Sequence, residues 1–300
     1  MVLLGELALF AGVGLLGFGY FWKRREAHLA RGVGWVLFGL FWFSQAPHYI
    51  ATGDAINAIA TGGSIFALSF VAYHEWLSYK WNEEYEPLRF FAGAAFLCSV
   101  IYFFVERIPL VSGGLIKVVA DQTAWLMNLG GAQYSAGPID YAGNELWFRT
   151  NLNDVRVPIM PANVDIVLAC TGIQALAVML GVVACTRADR MKKFKSVALL
   201  FPVIYGVNLL RNVAVIYTYH ALGWDFDFVH NVIGKSISLF TLFFLIIAIF
   251  ILLPELYENI NGVFELPWRK APGHDHKKHI GRVLGKYFGR GGGGPDSKEP

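Results

Sequence analysis

The chain has 300 residues, of which 55% are hydrophobic and 16% charged, and its formal net charge at pH 7 is +3. A soluble core of this size does not need so much apolar sequence, so a soluble protein is excluded and a polytopic membrane protein is predicted. The small net charge, with basic residues collected between apolar runs, gives no support for nucleic-acid binding. The three cysteines all lie within apolar runs and provide no disulfide framework.

Seven apolar runs are long enough to cross a membrane, at about 20 residues per helical span. The predicted fold is an all-α polytopic membrane protein with about seven transmembrane helices and a small external segment between helices 4 and 5. The predicted spans are residues 2–22, 33–51, 55–78, 88–110, 163–186, 196–218 and 229–253. Polar residues interrupt the second run near Pro47 and dilute the third near Gly62.

Basic residues in short loops predict which side of the membrane each loop occupies, because they mark the cytoplasmic face. Two basic clusters stand out, Lys23, Arg24, Arg25 and Arg31 after the first span, and Arg187, Arg190, Lys192, Lys193 and Lys195 after the fifth. Seven spans with the N-terminus outside place both clusters and the basic C-terminal tail inside. No basic residue precedes Lys23, so the first run is expected to be a retained span and not a cleaved signal peptide.

The predicted membrane domain covers residues 1–257 and includes the external segment, residues 111–162. A helical apolar pattern over 115–129 suggests a helix lying in the interface. Further on, a hairpin is predicted, with strands at 146–149 and 155–159. The remaining residues, 258–300, are expected to form a cytoplasmic tail that is disordered from about residue 272 because it is glycine-rich and polar.

Polar residues within the last three spans converge at one depth. Cys170 lies about seven residues from the outer end of its span, and Arg211 about seven from the outer end of the next. With a rise of 1.5 Å per residue, both are roughly 10 Å below the external interface. His230 opens the last span on the same side. Equal depth alone does not make the three side chains meet.

The three residue types together indicate acyl transfer through a thioester. We expect Cys170 to be the nucleophile, Arg211 to stabilise a thiolate or an oxyanion, and His230 to act as base and then acid. No metal or cofactor motif is present, and no cofactor is expected. Small or polar neighbours are expected to support the site, namely Thr171, Gly172, Gln174, Asn208 and Asn212.

Other interpretations of these residues stay open at this point. Arg211 could direct its charge to the interface, or bind a solute in a transporter or channel. Cys170 could be an inert core residue of a scaffold protein. His220 is the rival candidate for the base, and His48 is a weaker one. The tail histidines have a metal-ligand spacing, but a solvated polar run explains them better; they are His274, His276 and His279.

The local motifs resemble those of the exosortase and archaeosortase family of polytopic membrane cysteine transpeptidases. The resemblance covers about residues 145–253, and Thr171 after the cysteine is more like the archaeosortase A branch. The motifs that carry it are Ala169-Cys170-Thr171-Gly172-Ile173, Leu210-Arg211-Asn212-Val213 and His230-Asn231-Val232-Ile233-Gly234.

The resemblance implies a protein-sorting reaction at the external face of an archaeal cell membrane. Substrates would be exported, surface-layer type proteins that end in a recognition motif, a hydrophobic helix and a few basic residues. In the archaeosortase A branch the motif is Pro-Gly-Phe. The enzyme would cut near the motif and transfer the new C-terminus to a membrane lipid.

Overall fold

The computed structural model describes residues 2–131, 134–142, 145–152 and 164–272. These residues are mainly helical, which confirms the all-α class. The helices are α1 (Val2–Phe21), α2 (Ala27–Ala51), α3 (Ala55–Trp81), α4 (Glu86–Arg107), α5 (Pro109–Leu129), α6 (Ile173–Cys185), α7 (Arg190–Leu222), α8 (Phe226–Phe228), α9 (Lys235–Leu252) and α10 (Pro254–Phe264). A π-helical turn (Val229–Gly234) joins α8 to α9, and two 3₁₀ turns cover Leu168–Thr171 and Leu266–Trp268.

Local sequence signals fix where several helices begin. The carboxylates of Asp54 and Asp189 accept hydrogen bonds from the first-turn amides of α3 and α7, at 3.1 and 2.8 Å. Side-chain acceptors at this position satisfy amides that have no partner within the helix. A proline stands in the first turn of α4, α5 and α10, where its missing N–H costs nothing.

Five helical segments of the described chain are long and apolar enough to cross a membrane. They are Leu4–Phe21, Ala55–Trp81, Glu86–Arg107, Arg190–Leu222 and Phe226–Leu252, and they correspond to the first, third, fourth, sixth and seventh predicted spans. The predicted count of seven is not confirmed. The second predicted span falls in α2, which is not among these segments and contains Arg31 and Pro47.

The fifth predicted span, residues 163–186, is wrong as a continuous helix. Strand β3 (Val164–Ile166) and the 3₁₀ turn occupy its first part, and only Ile173–Cys185 is α-helical. The 13 residues of α6 extend about 20 Å, less than the roughly 30 Å of a bilayer's hydrocarbon core.

The segment that was predicted to be external contains a helix, as predicted, and a small sheet. α5 spans the predicted helical region, and strands β1 (Tyr134–Ala142) and β2 (Glu145–Leu152) follow it. The sheet has the order β1-β2-β3, with antiparallel neighbours. The first predicted strand thus lies within β2, but its partners are β1 and β3; the predicted strand at 155–159 lies outside the described residues, as does the tail after residue 272.

Apolar packing places α5, β3 and the 3₁₀ turn against α7. Ile116 and Val119 of α5 pack with Ile166 of β3, and the partly buried Cys170 packs against this cluster. A second cluster joins the end of α5 to Ile216 of α7. One side of α5 therefore packs against the bundle, while Trp125 on its other side is 60% exposed.

Candidate active site

Cys170 lies on a turn that connects a strand to a helix. The chain runs from β3 through the 3₁₀ turn to Gly172, which has a φ of +77°, and then into α6. The thiol was expected about two turns inside a helix; it lies instead just before the helix begins. This placement puts Cys170 outside the five candidate spans.

The residues that follow Cys170 stabilise this turn. The Thr171 hydroxyl donates a hydrogen bond to the Leu168 carbonyl at 2.7 Å and accepts one from the Ile173 amide at 3.4 Å. Gly172 adopts the left-handed conformation that favours glycine. A Cβ at this position would also lie 3.3 Å from Cγ of Asn208. Both predicted supporting residues therefore shape the backbone around the thiol.

Two asparagines of α7 hold the backbone of Cys170. The Nδ2 groups of Asn208 and Asn212 both donate to the Cys170 carbonyl, at 2.6 and 2.9 Å. The two asparagines are four residues apart, so they lie on one face of α7. A carbonyl with two lone pairs can accept both bonds. Helix α7 and the cysteine turn are thus joined at the candidate nucleophile.

Arg211 lies between these asparagines and reaches the π-helical turn. Its Nε donates to the Gly234 carbonyl at 3.1 Å. No carboxylate among the described residues forms an ion pair with Arg211. The terminal guanidinium nitrogens make no hydrogen bond within that part of the chain, so they are available to an anionic or carbonyl oxygen of a substrate.

His230 lies within the π-helical turn between α8 and α9. π-helical turns are rare and occur frequently at functional sites. The imidazole stacks on the ring of Phe226, with 5.5 Å between centroids and 14° between planes. This stacking fixes the plane of the imidazole ring. His230 lies one turn before Gly234, whose carbonyl Arg211 binds.

These three residues line one cavity of about 230 Å³. The structure thus brings together Cys170, Arg211 and His230, which the sequence placed only at equal depth. Most of the other lining residues are apolar, as in typical ligand sites where few polar groups fix orientation. The remaining lining residues are Val164, Asp165, Ile166, Val167, Asn212, Val215, Ile216 and Phe226.

Burial raises the pKa of the Cys170 thiol above its ordinary value, while a backbone hydrogen bond at Val167 and the charge of Arg211 act in the opposite direction. The expected effect of Arg211 on the thiol is therefore present but smaller than that of burial. A thiol with a raised pKa is protonated at neutral pH, so a base has to remove its proton before it can attack.

Other predicted candidates lie elsewhere. The Gln174 amide donates to the Tyr102 hydroxyl at 3.4 Å, on the side of α6 that faces α4, and Gln174 does not line the cavity. His220 is buried and stacks on Tyr134, outside the cavity lining. His48 is exposed on α2. The three tail histidines are outside the described residues, within which no metal-binding cluster of His, Cys, Asp and Glu is found.

The sequence did not single out the β3 residues or Phe226 as part of the site. Asp165 was visible as an acidic residue close before Cys170, but a helical interpretation of this run gave no reason to bring it into the cavity. Phe226 could have been found from its spacing of four residues before His230, which puts two aromatic rings on one helical face.

Comparison with known proteins gives a family match across most of the chain. A family model described as transmembrane exosortase matches residues 6–249. The chain is also similar to archaeosortase A of Haloferax volcanii, with 27% identity over 189 residues, 59% of this chain and 57% of the relative. Archaeosortase A of Natronomonas pharaonis is 28% identical over 170 residues, 53% of this chain and 50% of the relative. The chain thus spans about half the length of these curated relatives, and no solved structure matches it.

Proposed function

The chain belongs to the transmembrane exosortase family, and from this premise we propose that it is a membrane-embedded cysteine transpeptidase with Cys170 as nucleophile. The observation that carries the proposal is the single cavity lined by Cys170, Arg211 and His230. Family membership favours this function over the transporter alternative. The two archaeosortase A relatives support a sorting role.

In the first half-reaction, His230 takes the proton of the Cys170 thiol, and Sγ attacks the carbonyl carbon of the scissile peptide bond. The carbonyl oxygen becomes an oxyanion, which the terminal nitrogens of Arg211 stabilise. Collapse of this intermediate breaks the C–N bond. The leaving amine takes the proton from the His230 imidazolium, and a thioester on Cys170 remains.

In the second half-reaction, a hydroxyl or amine of a membrane lipid attacks the thioester carbonyl and gives its proton to His230. The C–S bond breaks, the new C-terminus is joined to the lipid, and the Cys170 thiolate recovers its proton from His230. Water in place of the lipid would give hydrolysis. Apolar cavity walls limit that competing reaction because they exclude water.

The proposed substrates are exported proteins that end in a recognition motif, a hydrophobic helix and a few basic residues, with Pro-Gly-Phe as the first motif to test. The proposed topology has the N-terminus outside, the C-terminus in the cytoplasm and the cavity at the external face. A substrate helix lying in the bilayer would leave it at the interface where Cys170 lies.

The test is processing of such a substrate by full-length protein in membranes. Cys170→Ala should abolish cleavage, and His230→Ala should lower it strongly. Arg211→Lys keeps the charge but loses the planar fork, and we expect cleavage to fall by roughly 10²–10³-fold, the loss typical of one oxyanion donor.

The matched control is Cys98→Ala, which removes a half-buried thiol of α4 outside the cavity. The Cys98→Ala variant should cleave the substrate at the wild-type rate. Normal processing by Cys170→Ala, or equal loss with Cys98→Ala, would refute the proposed mechanism.

A further inference from the structure

Lys235 is an exposed cation on an apolar surface beside the cavity. It is the first residue of α9 and lies inside the candidate span Phe226–Leu252. Exposed apolar side chains surround it along the helix, with Val232 50% and Leu239 69% exposed. This surface would face lipid, where a cation is costly unless it meets an anion or water.

The described residues do not neutralise this charge by direct contact. The ammonium forms no ion pair or hydrogen bond with them. Its charge acts over a longer distance on His230 and on Asp54, the N-cap of α3. Asp54 already accepts hydrogen bonds from the amide and the side chain of Asn57. An external anion therefore has access to Lys235.

The backbone of Lys235 lies below the headgroup region of a membrane, but its ammonium can extend toward that region. The 27-residue span is about 40 Å long, close to a whole bilayer with its headgroups. Lys235 lies about 13 Å from the end of the span nearest the cavity. Helical side chains point back toward the N-terminus, so its flexible stem carries the ammonium toward that interface.

The position is also adjacent to the reacting groups. The preceding residue, Gly234, accepts the hydrogen bond of Arg211, and His230 lies in the same π-helical turn. A headgroup held at Lys235 would therefore lie next to the turn that carries His230.

We propose that Lys235 binds the phosphate of a membrane phospholipid and so positions the acceptor headgroup beside the thioester on Cys170. This inference rests on the proposed function and names the acceptor class of the same site. Phosphate is the anion that a membrane supplies at the interface toward which the ammonium extends, which favours a phospholipid over a soluble ligand. A variant that lacks the charge of Lys235 should bind lipid less well, and more of its thioester should be hydrolysed.

Lipid binding can be measured without catalysis. Full-length protein in an uncharged maltoside detergent is mixed with dioleoyl phosphatidylglycerol, and retained lipid is quantified by native mass spectrometry. Lys235→Gln should bind about fivefold more weakly, the effect of one basic residue near an anionic headgroup. Lys235→Arg should retain the lipid. A phosphate-free galactosyl diglyceride should not distinguish the variants.

The matched control is Lys195→Gln, an exposed lysine of α7 at the other end of the bundle. Equal lipid retention by wild type and Lys235→Gln, or equal loss with Lys195→Gln, would overturn the inference. Displacement of the lipid by millimolar inorganic phosphate would also overturn it, because the site would then take free phosphate.

The functional measurement is the ratio of lipid-linked to hydrolysed product. Lys235→Gln should still form the thioester, seen as added mass on Cys170, but should shift the ratio toward hydrolysis. An unchanged ratio would contradict the acceptor role. If wild type forms no thioester, the proposed function fails, while the lipid-binding measurement still decides whether Lys235 holds phosphate.

Discussion

The backbone carbonyl of Cys170 sets the position of the thiol. It accepts two amide hydrogen bonds, from Asn208 and Asn212, and therefore ties the cysteine turn to the helix that carries Arg211. Either amide can hold the carbonyl alone. Loss of both would leave a partly buried acceptor without a partner and would let the thiol move relative to the guanidinium.

This arrangement predicts coupled effects of the two asparagines on catalysis. Asn208→Ala and Asn212→Ala should each lower kcat by up to about tenfold, equivalent to a hydrogen bond of about 1 kcal/mol. The double variant should lose more than the product of the single effects, with a coupling energy of at least about 0.5 kcal/mol. A double-mutant cycle on kcat, with KM and thermal unfolding measured in parallel, checks this.

Asn261→Ala is the control for that cycle, since Asn261 bonds Glu265 on α10, outside the cavity lining. Strict additivity of the Asn208 and Asn212 effects would contradict the shared-acceptor explanation. A fall in thermal stability that accounts for all lost activity would show a purely structural role.

The three residues predicted to react do line one cavity, whereas one of their predicted supports does not. A cysteine, an arginine and a histidine inside apolar runs are costly or unusual there, and their equal depth together with their chemistry suggested a shared role. Gln174 was also predicted to support the site, but it follows the turn at Gly172 and contacts Tyr102 of α4. The direction of the Gln174 side chain depends on the backbone of the turn. Counting positions along a continuous helix therefore gives the wrong direction for this side chain.

At the scale of elements, the π-helical turn and α7 meet through Gly234. Its carbonyl accepts from Arg211, and a Cβ on Gly234 would lie 3.1 Å from Nε of Arg211 and 3.2 Å from Cγ2 of Val215. These distances leave no comfortable space for a methyl group. An added Cβ would thus have to displace the side chain of Arg211 or Val215.

Gly234→Ala should displace the Arg211 side chain and, if Arg211 has the proposed oxyanion role, lower kcat by about tenfold, because a misplaced donor loses part of its effect. The matched control is Gly206→Ala on α7, where a Cβ meets nothing within 4 Å. That variant should keep full activity and gain about 0.5–1 kcal/mol of stability, since alanine favours a helix interior. Equal rates for the two variants would refute the role of Gly234. Steady-state kinetics and thermal unfolding provide both readouts.

Two elements of the site could not be predicted from the sequence. The apolar run before Cys170 reads equally well as a buried helix or as a buried strand, because short apolar runs carry no decisive periodicity. Pairing of Val164–Ile166 with β2 decides for the strand, and that contact joins segments that are separated in the sequence. The π-helical turn has no composition signal either.

At the scale of the whole molecule, the loops with basic residues gather at the end opposite the cavity. Arg25 bonds the Tyr79 carbonyl, Arg187 pairs with Glu86, and Lys192 pairs with Glu255. Helix α6 runs from the cysteine turn toward this end. The arrangement is compatible with the predicted topology, in which both basic clusters are cytoplasmic and the cavity is external; the topology stays a prediction.

A buried ion cluster ties the first three helices together at the basic end. Arg31 of α2 and Glu75 of α3 are both fully buried and pair at 2.7 Å. His28 also contacts Glu75, at 2.9 Å, and Arg31 donates to the Gly19 carbonyl of α1. Removing one partner of such a pair is far more costly than the pair is worth, because an unpaired charge remains in the interior.

Glu75→Ala is therefore expected to lower the free energy of unfolding by about 3–5 kcal/mol, since the partly exposed Glu84 would then be the one carboxylate paired with Arg31 among the described residues. Glu6→Ala breaks the exposed pair with Arg107 and should cost less than about 1 kcal/mol. Thermal unfolding of both variants in the same detergent makes the comparison. Because the cluster lies away from the cavity, the kcat of the folded Glu75→Ala fraction should equal that of wild type. A small, equal loss of stability in both variants would show that the buried cluster does not hold the helices together.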